Sequence, residues 1–544
     1  MPAAIGLAVA ALALMATVIW LKERTEIYGV RGLEKHPRAL EGDARRILES
    51  IGFESPIADS SYYYLAHSVD EARAAEVAGG FDPATILPAP VSFAYRQSPA
   101  PLVPLEGNEG DRRIIPYDPP FTEPGMARVL LSPEGVLRHI LIVPDDSYLA
   151  GSASERAVEW DQLFELSNLD WSTATEQEPS MRSPVQTDER HTWKASAGTG
   201  QPEVVVEGGA LRGRLVWYAI LVPWESDNFW SAVSTPQEGS AGRDAFVVIQ
   251  ILVLIGSLWV ARKNWLRGRA DRAGALKVLL FIAVVLSAGA ILRADFPGSV
   301  RHTWRIGMDL VGRSLLNGIM GAALYLAIEP YVRRNWPALL VSWSRLLRGR
   351  FDDPLIGKTI LSGLVAASLI PLPGLVRDQM RGLVTTGGFQ SALTSVEQAI
   401  AVTIEMFSGG INAGLVFTAL LVGAAAVLRN RAVAAVLVFV VFAALAYSRG
   451  QSPLALIVAG ILTFVVYRFG LLGASVAIGA TQLMILPLTL DTRAVYFPSA
   501  VPPLLLLLAL IGWGVYTSTS GTTSAFESRL SDSDRGTGSV PTPT

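Results

Sequence analysis

The feature that most constrains this 544-residue chain is the recurrence of long apolar runs, most of them closed at one end by arginines. Residues 3–21 carry no charged side chain and stop at Lys22, Glu23 and Arg24. Residues 245–261 are followed by Arg262, Lys263, Arg267, Arg269 and Arg272. Further runs cover 276–292, 306–328, 357–375, part of 407–428, 432–447, 454–467, 471–490 and 498–516. Crossing roughly 30 Å of hydrocarbon takes about 20 apolar residues at 1.5 Å each. Backbone groups inside lipid must be satisfied within the segment, so such runs become helices. The expectation is a polytopic α-helical membrane protein of about ten transmembrane helices. The first is an uncleaved anchor in 1–21, since 3–21 lacks a basic leader and a small-residue cleavage site. About nine more fall in 244–516.

Composition agrees: 50% of residues are hydrophobic and only 17% charged, against about 25% charged in an ordinary soluble domain. This excludes a disordered chain and a nucleic-acid binder with a basic groove. With no cysteine, disulfides, thiolate zinc sites and iron–sulfur clusters are excluded as well.

Charge is unevenly spread. Residues 22–243 carry a net −14 and residues 244–544 a net +11. Basic residues gather at cytoplasmic loops, so the cluster after 261 is expected inside, the acidic block 22–243 outside, and both termini inside. The implied location is the bacterial cytoplasmic (inner) membrane. Residues 336–350 alternate apolar side chains with arginines at helical spacing, as an interfacial helix would. Residues 384–407 fit either an outer interfacial helix or the start of a long tilted span. The Ser/Thr/Gly-rich 517–544 reads as a disordered cytoplasmic tail.

The acidic block reads as an extracytoplasmic α+β domain. A helical period around 45–51 ends at Gly52. Strand signals follow at 91–96, 127–131 and 136–143, the last two joined by a turn at 132–135. A similar order returns with a helix at 160–169, a strand at 191–194 and a second hairpin, its turn placed at Glu207, Gly208 and Gly209. The expectation is a duplicated helix–strand–hairpin unit. Aromatic clusters (Tyr62, Tyr63, Tyr64; Trp217, Tyr218, Trp224) read as core.

Catalytic motifs are not found. The five histidines are scattered and no H-E-x-x-H occurs. Gly357, Lys358 and Thr359 resemble the end of a phosphate loop, but Asp352 stands where that loop needs glycine. There is no G-x-S-x-G, H-R-D or D-F-G. No catalytic, cofactor or metal residue is assigned. Within spans, Asp309 and Arg313 share a helix face and can pair, and Asn317 extends the stripe. Glu405 and Asn412 are weaker polar candidates. The glycine-rich stretches 409–414 and 470–479 suit close helix packing.

The segments 262–280 (RKNWLRGRADRAGALKVLL), 292–295 (LRAD) and 329–358 (EPYVRRNWPALLVSWSRLLRGRFDDPLIGK) resemble the membrane-embedded C-terminal part of bacterial transmembrane serine/threonine protein kinases of the acidobacterial type. Segments 468–472, 486–491, 44–62 and 125–144 fit the same pattern, so the resemblance covers nearly the whole chain. Its most specific motif, carried by Glu329, Pro330, Trp336 and Pro337, is structural rather than catalytic. The resemblance implies a non-enzymatic sensor or signalling module whose kinase head is separate, lost or encoded upstream. The lipid bilayer is the expected partner, and a separate cytoplasmic kinase is the further one implied. Arg262, Lys263, Arg267, Arg269, Arg333, Arg334, Arg345 and Arg348 are the candidate cytoplasmic contacts, with topology and general contact to anionic lipid as their simpler role. The alternative is a small-solute or ion transporter, or an intramembrane enzyme, which requires Asp309, Arg313, Asn317 and Glu405 to converge on a cavity at mid-depth. Neither composition nor resemblance fixes the ligand or the oligomeric state.

Overall fold

The computed structural model describes residues 2–66, 89–104, 114, 118–150, 157–179, 182–196, 198, 201–221, 241–296, 299–388, 390–448 and 454–535. Each apolar run folds as helix: α1 (Pro2–Thr25), then, beyond two helices of the sheet domain (α2, Pro37–Ser50; α3, Trp160–Leu166), α4 (Ala241–Leu266), α5 (Arg272–Arg293), α6 (Val300–Asn335), and, after a short α7 (Val341–Leu347), α8 (Pro354–Leu369) with its short continuation α9 (Leu372–Arg381), α10 (Val396–Leu428), α11 (Arg431–Ser448), α12 (Leu454–Ile485) and α13 (Phe497–Arg535). Among the described residues, seven helices are long and apolar enough to cross a membrane, which fits a multi-pass membrane protein.

The count falls below ten partly because the runs 454–467 and 471–490 share the element α12, broken at Gly470 (φ 69°, ψ −162°). Contacts show that the chain reverses there. Gly460 lies beside Phe439 of α11, and Tyr467 packs on Trp336, centroids 5.1 Å apart. Beyond Gly470, Ser475 meets Gly414 and Gly479 meets Gly410, so the second half runs back antiparallel to α10. A Cβ on Gly410 would stand 2.3 Å from the Gly479 Cα. The two glycine-rich stretches thus face one another, and their lack of side chains sets how closely the helices approach.

Two local expectations are corrected. Residues 336–350 are not one interfacial helix. A 3-10 turn, Pro337–Leu339, precedes α7, and Trp336, Leu339, Leu340 and Trp343 are buried in the bundle core. The run 357–375 lies within the apolar helical stretch Pro354–Arg381, which is interrupted at Ile370-Pro371 between α8 and α9. The tail is helical as far as Arg535, while 536–544 lie outside the described residues. The hydroxyls of Thr517, Ser518 and Thr519 donate to the carbonyls of Trp513, Gly514 and Val515 one turn back, so they follow the helix instead of competing with it. Residues 396–407 form the start of the long α10.

The α+β domain is an eight-stranded antiparallel sheet: β1 (Asp59–Ala66), β2 (Val91–Ser98), β3 (Ala127–Leu131), β4 (Leu137–Ile142), β5 (Thr175–Gln177), β6 (Glu189–Ser196), β7 (Glu203–Leu211) and β8 (Arg214–Leu221). The order β1-β2-β3-β4-β8-β7-β6-β5 reads the same from either edge. Each half is a four-stranded meander preceded by a helix, α2 or α3. Register repeats as well. The bulge between Leu130 and Leu131, facing His139 and Leu137, recurs between Gly209 and Ala210, facing Trp217 and Leu215.

The second hairpin turn is not at 207–209. Those residues lie within β7, and the turn is Arg212-Gly213, both at positive φ (52° and 73°), the twist that two-residue hairpins favour. The glycines serve packing: a Cβ on Gly208 would lie 2.3 Å from the Trp160 ring and one on Gly209 2.0 Å from the Trp217 indole nitrogen. Tyr62–Tyr64 fall in β1, whose alternation the aromatic run obscured.

At the β5–β6 edge, His191 bonds Glu176 at 2.8 Å and Glu189 at 2.7 Å. Burial lowers its pKa, but the two carboxylates outweigh this and hold it above the ordinary 6.5. A raised folded pKa means the stabilisation is fully present below the unfolded value and is lost as pH rises through the folded one. The thermal midpoint of the chain is therefore expected to fall as pH rises from about 6.5, and His191→Gln is expected to flatten that slope. An unchanged slope would assign the pH response elsewhere.

Sheet domain and bundle meet over a packed junction. The Lys22 ammonium, 2% exposed, donates to the carbonyls of Met484 and Leu486, each at 2.7 Å, and pairs with Glu26 at 3.0 Å. Burial pushes the Glu26 carboxyl above its usual range, opposed by Lys22. Ile27 N–H donates to Thr385 O and Thr385 N–H to Thr25 O. Glu23 accepts from Thr489 Oγ1 and Leu490 N–H. Val384, Leu393 and Tyr496, from loops between helices, are buried in the sheet domain's core.

Candidate functional site

At the end of the bundle away from the sheet lie the basic segments. Arg431 donates to Asn335 O and stacks over Trp336, and Trp513 donates to Phe351 O. Here a cavity of about 570 Å³ opens between the start of α5, the end of α6 and the segment from Pro337 to Arg348. Tyr325, Glu329 and Arg333 recur every four residues on α6 and so share one face of it. All three line the cavity.

Asp271 caps α5: one carboxylate oxygen accepts from Gly274 N–H at 2.9 Å and the other from Tyr325 Oη at 3.0 Å. Glu329 is buried. Its Oε1 lies 3.2 Å from Arg333 Nη1, and its Oε2 has no hydrogen-bond partner among the described residues. Lys277 Nζ donates to Leu347 O at 2.6 Å, and Arg345 donates to both oxygens of Asp353 at 2.8 and 2.6 Å. Arg269 and Arg348 also line the cavity and form no ion pair among the described residues. Five cationic side chains thus face two carboxylates on the wall.

Pro330 sits inside α6. It has no N–H to give the Leu326 carbonyl one turn back, a loss that ordinarily breaks a helix. Asn264 of α4 fills that acceptor, Nδ2 to Leu326 O at 2.9 Å. The Glu329-Pro330 motif therefore joins a cavity wall to an inter-helix bond. Trp336 is buried at the end of α6, and Pro337 opens the 3-10 turn.

Of the basic candidates, Arg269, Arg333, Arg345 and Arg348 come together at the cavity. Arg262, Lys263, Arg267 and Arg334 do not line it, and Lys263 lies over the Trp259 ring at 5.0 Å. Asp271, Lys277, Tyr325 and Asn264 were not singled out from sequence. The four-residue spacing of Tyr325 with Glu329 and Arg333 was a usable signal, as was Asp271 three residues before Gly274.

The intramembrane candidates are not assembled into one constellation. Asp309 and Arg313 pair at 3.1 Å on the outer face of α6, 31% and 45% exposed. The Asn317 amide donates to the Arg313 carbonyl, not to the pair. Glu405 bonds Arg293 of α5 at 2.6 Å, and Gln398 donates to Arg293 O. Asn412 lies near Gly321. Comparison with protein-family models, curated proteins and solved structures finds no match for this chain.

Proposed function

We propose that the chain is a non-enzymatic sensor or signalling module of the bacterial inner membrane, related to the membrane part of transmembrane serine/threonine kinases. In this reading the helices make ten alternating crossings, the α13 end and the N-terminus are cytoplasmic, and the sheet domain, an internal duplication, faces outward. The two-fold echo of strand order and register supports the duplication. The carrying observation is the junction at Lys22, which locks α1 and the loop after α12 to the base of the sheet domain. A ligand shifts such a system by its differential affinity for two arrangements, and a junction bonded on both sides lets a change in the sheet domain reach the helices. The basic end is then the surface met by a cytoplasmic partner.

The test is genetic and biochemical. A serine/threonine kinase domain is expected in the same transcript, in frame upstream or in a neighbouring gene, with autophosphorylation that changes when this chain is co-expressed. A kinase indifferent to the chain, or no such domain together with solute flux through proteoliposomes, would overturn the reading in favour of transport.

A further inference from the structure

We propose that the cavity at the basic end holds the phosphate group of an anionic phospholipid, with the acyl chains lying along α5. Three observations converge on it. The first is charge: Arg269, Lys277, Arg333, Arg345 and Arg348 line one concave space. Asp271 is occupied by Tyr325 and Gly274, and Arg345 by Asp353, so Arg269 and Arg348 remain for an incoming anion. Guanidinium groups match phosphate oxygens with paired N–H donors.

The second is the helix. The 22-residue α5 begins in the cavity, where Ala273 and Gly274 line the wall and Asp271 already caps its N-terminus, so the cavity opens directly onto this helix. The third points to lipid rather than a soluble phosphate. From Ala273 and Lys277 the outward face of α5 continues as Leu276, Leu280, Phe281 and Val284, each 50–64% exposed. This apolar strip starts at the cavity rim and runs toward mid-bundle. Arg272 stacked on Trp265 at 4.4 Å and Lys263 over Trp259 mark the same level, the aromatic and basic belt of a membrane interface. The site requires only that the bundle span a bilayer, not that it signal.

The test uses the full chain in phosphatidylcholine nanodiscs, with phosphatidylglycerol added and retained lipid measured by native mass spectrometry. The double variant Arg269→Gln/Arg348→Gln is expected to weaken retention about tenfold, while Arg350→Gln, at the same end but off the cavity wall, leaves it unchanged. Equal weakening by Arg350→Gln would show diffuse surface attraction and overturn the site. Saturable binding of inorganic phosphate that excludes phosphatidylglycerol would overturn the lipid assignment. Should the double variant fail to assemble, a photoreactive phosphatidylglycerol on the wild-type chain is expected to label 273–284 above all other helices. Even labelling around the bundle would overturn the proposal.

Discussion

Replacing Lys22 with methionine is expected to destabilise the protein by about 3–5 kcal/mol, the cost of breaking a buried ion pair from one side. All three ammonium protons have acceptors: Met484 O, Leu486 O and Glu26. Methionine fills a similar volume but leaves Glu26 buried without its cation and two carbonyls without donors. Unfolding of purified protein, followed by size-exclusion chromatography after heating, reads the loss directly. The pair Lys22→Met/Glu26→Leu separates the terms. It removes the stranded charge, so it is expected to recover part of the loss. It cannot recover the carbonyl bonds, at roughly 1–3 kcal/mol for each buried group left unsatisfied. Full recovery would mean that those carbonyls contribute nothing.

Gly470→Ala is expected to have an effect of similar size through different physics. The φ and ψ at this reversal belong to a region open essentially to glycine alone, costing other residues about 1–3 kcal/mol. A Cβ there would also stand 2.2 Å from the Leu339 carbonyl oxygen. Since that contact is with backbone, relief requires moving the 3-10 turn Pro337–Leu339 that borders the cavity. Loss of monodisperse protein is expected. Gly512→Ala is the control: its Cβ meets nothing within 4 Å, and alanine in a helix interior gains roughly 1 kcal/mol over glycine. Equal behaviour of the two variants would show that the chain does not need the reversal.

Helices were legible in the sequence because a membrane span is written as composition over some twenty residues. The break at Gly470 was legible too, as the gap between the runs 454–467 and 471–490, whereas the backbone conformation that only glycine adopts there was not. In the sheet domain the first hairpin was readable because Gly135 ends a Ser-Pro turn. The second was misplaced because Gly208 and Gly209 mimic a turn while making room for Trp160, distant in the chain, and for Trp217 across the hairpin. Lys22 looked like an ordinary flanking charge, and only the fold brings Met484 and Leu486 to it.

The cavity was half legible. Arg333, Arg345 and Arg348 lie close in sequence, and Arg269 stood out in its own basic cluster. Lys277 joins them from within α5, which no local pattern announces. Nor could Pro330 be paired with Asn264, 66 positions away, since the bond exists only because α4 and α6 pack together.

Outward sensing requires that the sheet domain and the basic end of the bundle lie on opposite sides of the membrane. The chain has no native cysteine, so single cysteines can be read without background. Glu203→Cys places one on the sheet domain, where the side chain is 65% exposed, and Arg334→Cys places one at the exposed basic end. In intact spheroplasts a membrane-impermeant maleimide is predicted to label position 203 at once and position 334 only after the membrane is opened. Labelling of 334 in intact spheroplasts, with 203 protected, would contradict the account.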